Sequence, residues 1–147
     1  MQKEVKQYII IRSDLDINSG KACAQAAHAS SKVFFDKFTQ RVKMPWKNKG
    51  ENEYKLGMFL TQEEIQWLDG MCTKIVKKVK NENQLLRVYN QAKDAGLNVS
   101  LIKDAGLYGL EGENYTCIAV GPNYVEDCEP VVGKLRLLTD LKNTKDE

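Results

Sequence analysis

Histidine is nearly absent from this chain of 147 residues: His28 is the only one. The four cysteines, Cys23, Cys72, Cys117 and Cys128, form no CxxC pair. Together these argue against a zinc site of the usual spacing. No Ser-His-Asp set, carboxylate pair or metal-ligand cluster stands out by spacing. No apolar run approaches the ~20 residues that cross a bilayer, so no membrane span is expected. The start, Met1-Gln2-Lys3-Glu4-Val5-Lys6, carries an acid and leads into a strand-like run, so no secretory signal is expected. Four buried, reduced thiols in a cytoplasmic protein are the corresponding expectation. Internal repeats and low-complexity segments are also missing.

What is present fits one folded domain. The length suits a single unit, 1–147, and a chain of this size buries enough surface for one core. Hydrophobic residues make up 42% and charged residues 29%, a globular composition. Net charge is only +2, but residues 1–80 hold 15 Lys and Arg against 9 Asp and Glu, whereas residues 81–147 hold 7 against 11. The first half could therefore meet a polyanion, although a mixed solvated surface explains the same counts.

Val5 to Arg12, with Ile9-Ile10-Ile11 in succession, has no polar face and reads as a central strand buried on both sides. Lys21 to Phe38 is alanine-rich and reads as a helix lying close on a sheet. Residues 40–58 break the periodicity, with Pro45, Gly50 and a run of cations including Lys43, Lys47 and Lys49. They read as an exposed loop or insertion. Thr61-Gln62-Glu63-Glu64 is a capping box opening a short helix that Gly70 ends. Thr73 to Lys80 reads as a strand. Asn81 to Gly96 is the cleanest helix, capped by Asn81 and closed by Gly96. Val99 to Lys103 and Tyr115 to Val120 read as strands, the second stopped by Gly121-Pro122. Tyr124 to Leu138 reads as a last helix or helix pair broken near Pro130. The alternation predicts an α/β layered domain.

In open α/β sheets ligands bind beyond the carboxyl ends of the strands. Two segments belong there. In the first, Gly20-Lys21 opens the alanine-rich helix, where backbone amides and the Lys21 ammonium could both meet an anion. Lys21, Gln25, His28 and Lys32 recur at helical spacing, either as a functional face or as an ordinary solvent stripe. In the second, Asp104 ends a strand before Ala105-Gly106. It could orient a water or simply form a turn. His28 could act as a base or be structural. Tyr108, Tyr115 and Tyr124 could stack on bases or pack at the core edge.

Taken together, these segments resemble the type 2 (archaeal and eukaryotic) peptidyl-tRNA hydrolases. The matching stretches run in order: Tyr8 to Leu15, Gly20-Lys-Ala-Cys-Ala-Gln-Ala-Ala-His-Ala29, Lys74 to Val79, Ala92 to Gly106, Ala119-Val-Gly-Pro122 and Gly133 to Leu138. The resemblance implies an α/β/α three-layer domain with a four-stranded mixed sheet, often a homodimer, that hydrolyses the ester between a peptide and the 3′ end of tRNA with no metal or organic cofactor. It implies Lys21 and Asp104 as active-site residues, joined by Thr116. Gly20, Gln25, His28, Lys32, Tyr108 and Asn114 are the candidate substrate-binding residues. The chain departs from the family where Leu107-Tyr108-Gly109 replaces the usual Arg-Thr-Gln, and where Glu113-Asn114-Tyr115-Thr116 replaces Gly-Thr-x-Thr. Three readings stay open on the sequence: a peptidyl-tRNA hydrolase, a non-catalytic relative that binds RNA or protein, and a hydrolase of another ester or amide.

Overall fold

The computed structural model describes residues 2–40, 46–47, 54–55, 57–104 and 114–140. Strand β1 (Val5–Arg12) is followed by the long helix α1 (Ser19–Gln40), the short strands β2 (Trp46–Lys47) and β3 (Tyr54–Lys55), and helix α2 (Gln62–Asp69). Then come β4 (Lys74–Val79), α3 (Glu82–Asp94), β5 (Val99–Asp104), β6 (Asn114–Tyr124), α4 (Val125–Val132) and β7 (Arg136–Leu137).

The main sheet has the order β5-β6-β1-β4-β7, and β2 pairs with β3 in a separate ribbon. β1 runs parallel to β4 and antiparallel to β6, so the sheet is mixed, as expected. It has five strands rather than four. The extra one is β7, antiparallel to β4, formed by residues that read as the end of the last helix. Helix α4 stops at Val132, just past Pro130.

The triple isoleucine of β1 explains the layering. Ile10 contributes to a core with Leu85, Val88 and Ala92 of α3 and Cys128 and Val132 of α4. Ile9 and Ile11 face the other way, into a core with Ala29, Val33 and Phe34 of α1 and Trp67 of α2. Period-two alternation sends neighbours to opposite faces, and both faces are covered by helices.

Local signals hold the helices where they were read. Thr61 and Glu64 close a reciprocal capping box on α2. The Asn81 side chain accepts from the Gln84 amide at 2.9 Å, capping α3. Gly96 follows α3 with φ +75°, the left-handed conformation that closes helices. Helix α1 starts two residues before the expected point because the Asn18 side chain accepts from the Lys21 amide at 2.8 Å.

Gly121-Pro122 does not end β6. The strand continues to Tyr124, with an irregular register opposite Lys6 to Tyr8. Gly121 has φ +100°, and a Cβ there would stand 2.5 Å from the Lys6 carbonyl oxygen, so only glycine fits this crossing. The buried Gln7 side chain donates to the Gly121 carbonyl at 3.2 Å, so that carbonyl is paired at the irregularity.

The thiols are not all buried. Cys117 and Cys128 are, Cys72 is half-buried, and Cys23 is exposed. Of residues 40–58, β2 and β3 make a two-stranded ribbon. Lys43, Lys49 and most of that segment lie outside the described residues, as does the stretch from Ala105 to Glu113.

Candidate active site

β1, β4 and β5 end at one edge of the sheet, where antiparallel β6 begins. Helix α1 starts above that edge. Along β5, Ser100, Ile102 and Asp104 alternate onto one buried face. Ser100 donates to the Ala29 carbonyl of α1 at 2.7 Å, which fixes that face against the helix. Asp104, last in the series, therefore emerges under the first turns of α1.

There the Lys21 ammonium meets Asp104 Oδ2 at 2.8 Å, with the lysine side chain 14% and the aspartate side chain 2% exposed. One turn further along α1, Gln25 donates from Nε2 to the same carboxylate oxygen at 3.5 Å. The Thr116 hydroxyl donates to Gln25 Oε1 from below. Lys21, Asp104, Gln25 and Thr116 thus form one connected set spanning α1, β5 and β6.

Thr116 reaches Gln25 because of a bulge. Ile102 pairs with Cys117 and Lys103 with Tyr115, so Thr116 is the extra residue between them. Cys117 packs in the α1-side core and Tyr115 against the opposite one. An unbulged strand would have turned Thr116 away from α1. The bulge turns it toward Gln25.

The other expected residues divide. Gly20 is exposed in the first turn of α1, and Asn114 is half-buried and pairs directly with Asp104 across the β5–β6 ladder. His28 is exposed on α1. Lys32 is engaged one turn on, its ammonium 2.7 Å and 2.8 Å from the two oxygens of Asp36. The helical stripe is thus split: Lys21 and Gln25 join Asp104, and Lys32 belongs to a separate surface pair. Tyr108 lies outside the described residues, with Leu107 and Gly109.

Arg12, which the sequence reading passed over, anchors the same edge. Its guanidinium donates to both oxygens of Asp14, at 3.0 Å and 2.8 Å, and to the Tyr115 carbonyl at 3.0 Å. It also lies 3.6 Å from Glu82. Its signal in the sequence was an arginine directly closing an apolar strand.

Among the described residues no group of three His, Cys, Asp or Glu side chains is arranged to hold a metal. No described helix is long and apolar enough to cross a membrane.

A mixed α/β sheet whose carboxyl-end edge holds a buried carboxylate against an ammonium at a helix start defines a site suited to polar bond cleavage or anion recognition. Comparison with known proteins narrows that class. The family model "Peptidyl-tRNA hydrolase PTH2" matches residues 5–138. A peptidyl-tRNA hydrolase of Sulfolobus acidocaldarius is 34% identical over 134 residues, 91% of this chain and all of that one. Its counterpart in Methanopyrus kandleri is 35% identical over 138 residues, 90% of this chain and 97% of that one. The chain belongs to the PTH2 family of peptidyl-tRNA hydrolases. A solved structure of a protein of unknown function from Agrobacterium tumefaciens shares the fold at 10% identity, with a TM-score of 0.52, 93% coverage of this chain and 99% of the other.

Proposed function

We propose that this chain, acting as a single catalytic domain, hydrolyses the ester joining a peptide to the 3′ end of tRNA. The observation that carries the reading is the ion pair of Lys21 with the buried carboxylate of Asp104. Ester hydrolysis needs a positioned water and a charge to steady the oxyanion. In this reading Asp104 orients the water and draws its proton as the oxygen adds to the carbonyl carbon. Lys21, with the amides of the first turn of α1, steadies the negative charge on the former carbonyl oxygen. The C–O bond to the ribose then breaks, and the tRNA oxygen leaves with a proton.

Gln25 and Thr116 act as positioning residues. Thr116 is 1% exposed, and its hydroxyl donates to Gln25, which in turn donates to the carboxylate. Gly20, His28 and Asn114 stand as substrate-binding residues around the pair. Lys32, held by Asp36, contributes charge rather than a contact. The family resemblance also supports a cytoplasmic homodimer, and sedimentation at micromolar concentration tests the assembly.

Single-turnover assays with peptidyl-tRNA test the activity. Release of free peptide and deacylated tRNA is expected, lost in Asp104→Asn. Binding of tRNA without turnover by the parent protein would make it a binding module. Equal cleavage of simple esters lacking tRNA would make it a different hydrolase.

A further inference from the structure

A second site lies along the same sheet edge, between β4 and β7. A groove of about 440 Å³ opens there, bordered by Ser13, Lys78, Lys80, Gln84, Lys134 and Arg136. No acidic side chain lines it among the described residues. Asp14, next to Ser13 in sequence, and Glu82, two residues before Gln84, are both engaged by Arg12.

The register of β4 and β7 makes the charge pattern unusual. Lys78 pairs directly with Arg136 across the antiparallel ladder. Directly opposed residues share a face, and like charges in that arrangement are destabilising. The other surface cations of this chain often have an acid at hand, as in Lys3–Glu126 and Lys32–Asp36. Lys78 and Arg136 oppose each other instead, with Lys80 and Lys134 beside them. An anion between them would remove the conflict. A guanidinium fork next to an ammonium suits the oxygens of a phosphate.

We propose that this groove binds phosphates of the RNA backbone of the substrate, away from the ester being cleaved. From β5 it is three strand steps to β4 and four to β7, so the groove between them stands roughly 14–19 Å from Asp104 at ~4.8 Å per strand. Phosphate contacts at that distance fix register and orientation without reading sequence. The identity of the RNA rests on the peptidyl-tRNA reading. The phosphate site itself does not.

The test uses the double variant Lys78→Gln/Arg136→Gln and two substrates carrying the same peptide ester, one on full-length tRNA and one on a trinucleotide. KM for the full-length substrate should rise about tenfold with kcat unchanged, and the trinucleotide kinetics should stay at parent values. The log–log salt dependence of deacylated tRNA binding should flatten by about 1.5 units, at 0.7–0.9 per phosphate lost. Lys74→Gln/Lys93→Gln, which removes the same net charge at other places, should leave the slope unchanged. Relief of the like-charge pair should raise Tm in the groove variant. Parent-like KM and salt slope, an equal loss on the trinucleotide, or a lowered Tm would each overturn the proposal. Should the parent protein fail to cleave peptidyl-tRNA, the hydrolase reading falls, and the salt slope with deacylated tRNA still decides the groove.

Discussion

Lys21, in the first turn of α1, and Asp104, the last residue of β5, close an ion pair at 2.8 Å with the carboxylate almost wholly out of water. The two partners are not equivalent. Lys21 keeps some access to solvent, so Asp104→Asn leaves an ammonium that can reach water along its flexible stem. Lys21→Met instead leaves a buried carboxylate without its cation, which costs ~3–5 kcal/mol. Urea titrations should show Lys21→Met strongly destabilised and the double variant Lys21→Met/Asp104→Asn largely restored. Asp104→Asn alone should fold and lose turnover by roughly 10²–10⁴. A stable Lys21→Met would show that the pair does not hold the edge together.

Thr116→Val removes the hydroxyl that orients Gln25 while keeping the branched shape. One hydrogen bond is worth about 1 kcal/mol, so kcat should drop several-fold to about tenfold with little change in KM. Thr116→Ser should restore it. A rise in KM with kcat unchanged would place Thr116 against substrate instead.

Glu64 carries two duties: one carboxylate oxygen accepts from the Thr61 amide at 2.7 Å, and the other pairs with Lys37 of α1. Glu64 is fully buried and the Lys37 side chain is 14% exposed, so the pair ties α2 to α1. Lys37→Met should cost ~3–5 kcal/mol by leaving that charge alone. Glu64→Gln in the same background keeps the cap and should recover most of the loss. Chemical denaturation of the parent and the two variants measures this directly.

Burial pushes the Cys117 thiol up from 9.0 to about 12, and burial aided by Asp127 and Glu129 does the same for Cys128. The sign follows from linkage. An unfolded thiol releases its proton near pH 9 while the folded one keeps it, so the unfolded chain binds fewer protons and stability falls as pH rises from about 9 toward 12. Below pH 9 these thiols should leave stability untouched. Denaturation across that range should steepen in slope above pH 9, and Cys128→Ala should weaken the effect. A thiol reagent should label exposed Cys23 first and reach Cys117 and Cys128 only on unfolding.

Where sequence signals are local, the fold was readable. The Thr61–Glu64 box, the Asn81 cap and Gly96 each act within a few residues, so composition and spacing revealed them. The features that escaped depend on distant partners. Thr116 faces α1 only because a bulge breaks the alternation of β6, and period-two patterning carries no trace of an extra residue. Arg136 and Leu137 form a strand because Lys77 and Lys78 offer a free edge, which outweighs their place after a helix. Gly121-Pro122 looked like a stop, yet β6 runs through it to Tyr124, with the buried amide of distant Gln7 donating to the Gly121 carbonyl. The Lys37–Glu64 pair was hidden for a similar reason, since a capping glutamate gives no hint that its second oxygen is buried. Lys21 and Asp104 were each singled out by their place beyond a strand end, and the family resemblance gave both an active-site role. Spacing alone could not have joined a helix start to a strand end so far along the chain.

The placement of β1 between β4 and β6 also shapes how the chain emerges during synthesis. β1 is made first, and its flank for β6 waits for residues 117–124 to leave the ribosome. At 5–20 residues per second that wait lasts roughly 5–20 s, with three isoleucines lacking one neighbour strand. β4 can dock sooner on the other side, so a half-built sheet of β1 and β4 under α1 is the expected nascent species. Its open edge is an aggregation hazard until β6 inserts between β1 and β5. Truncations that stop the chain before Asn114 should therefore be sticky rather than merely unfolded, and chaperone capture during translation should peak in that window.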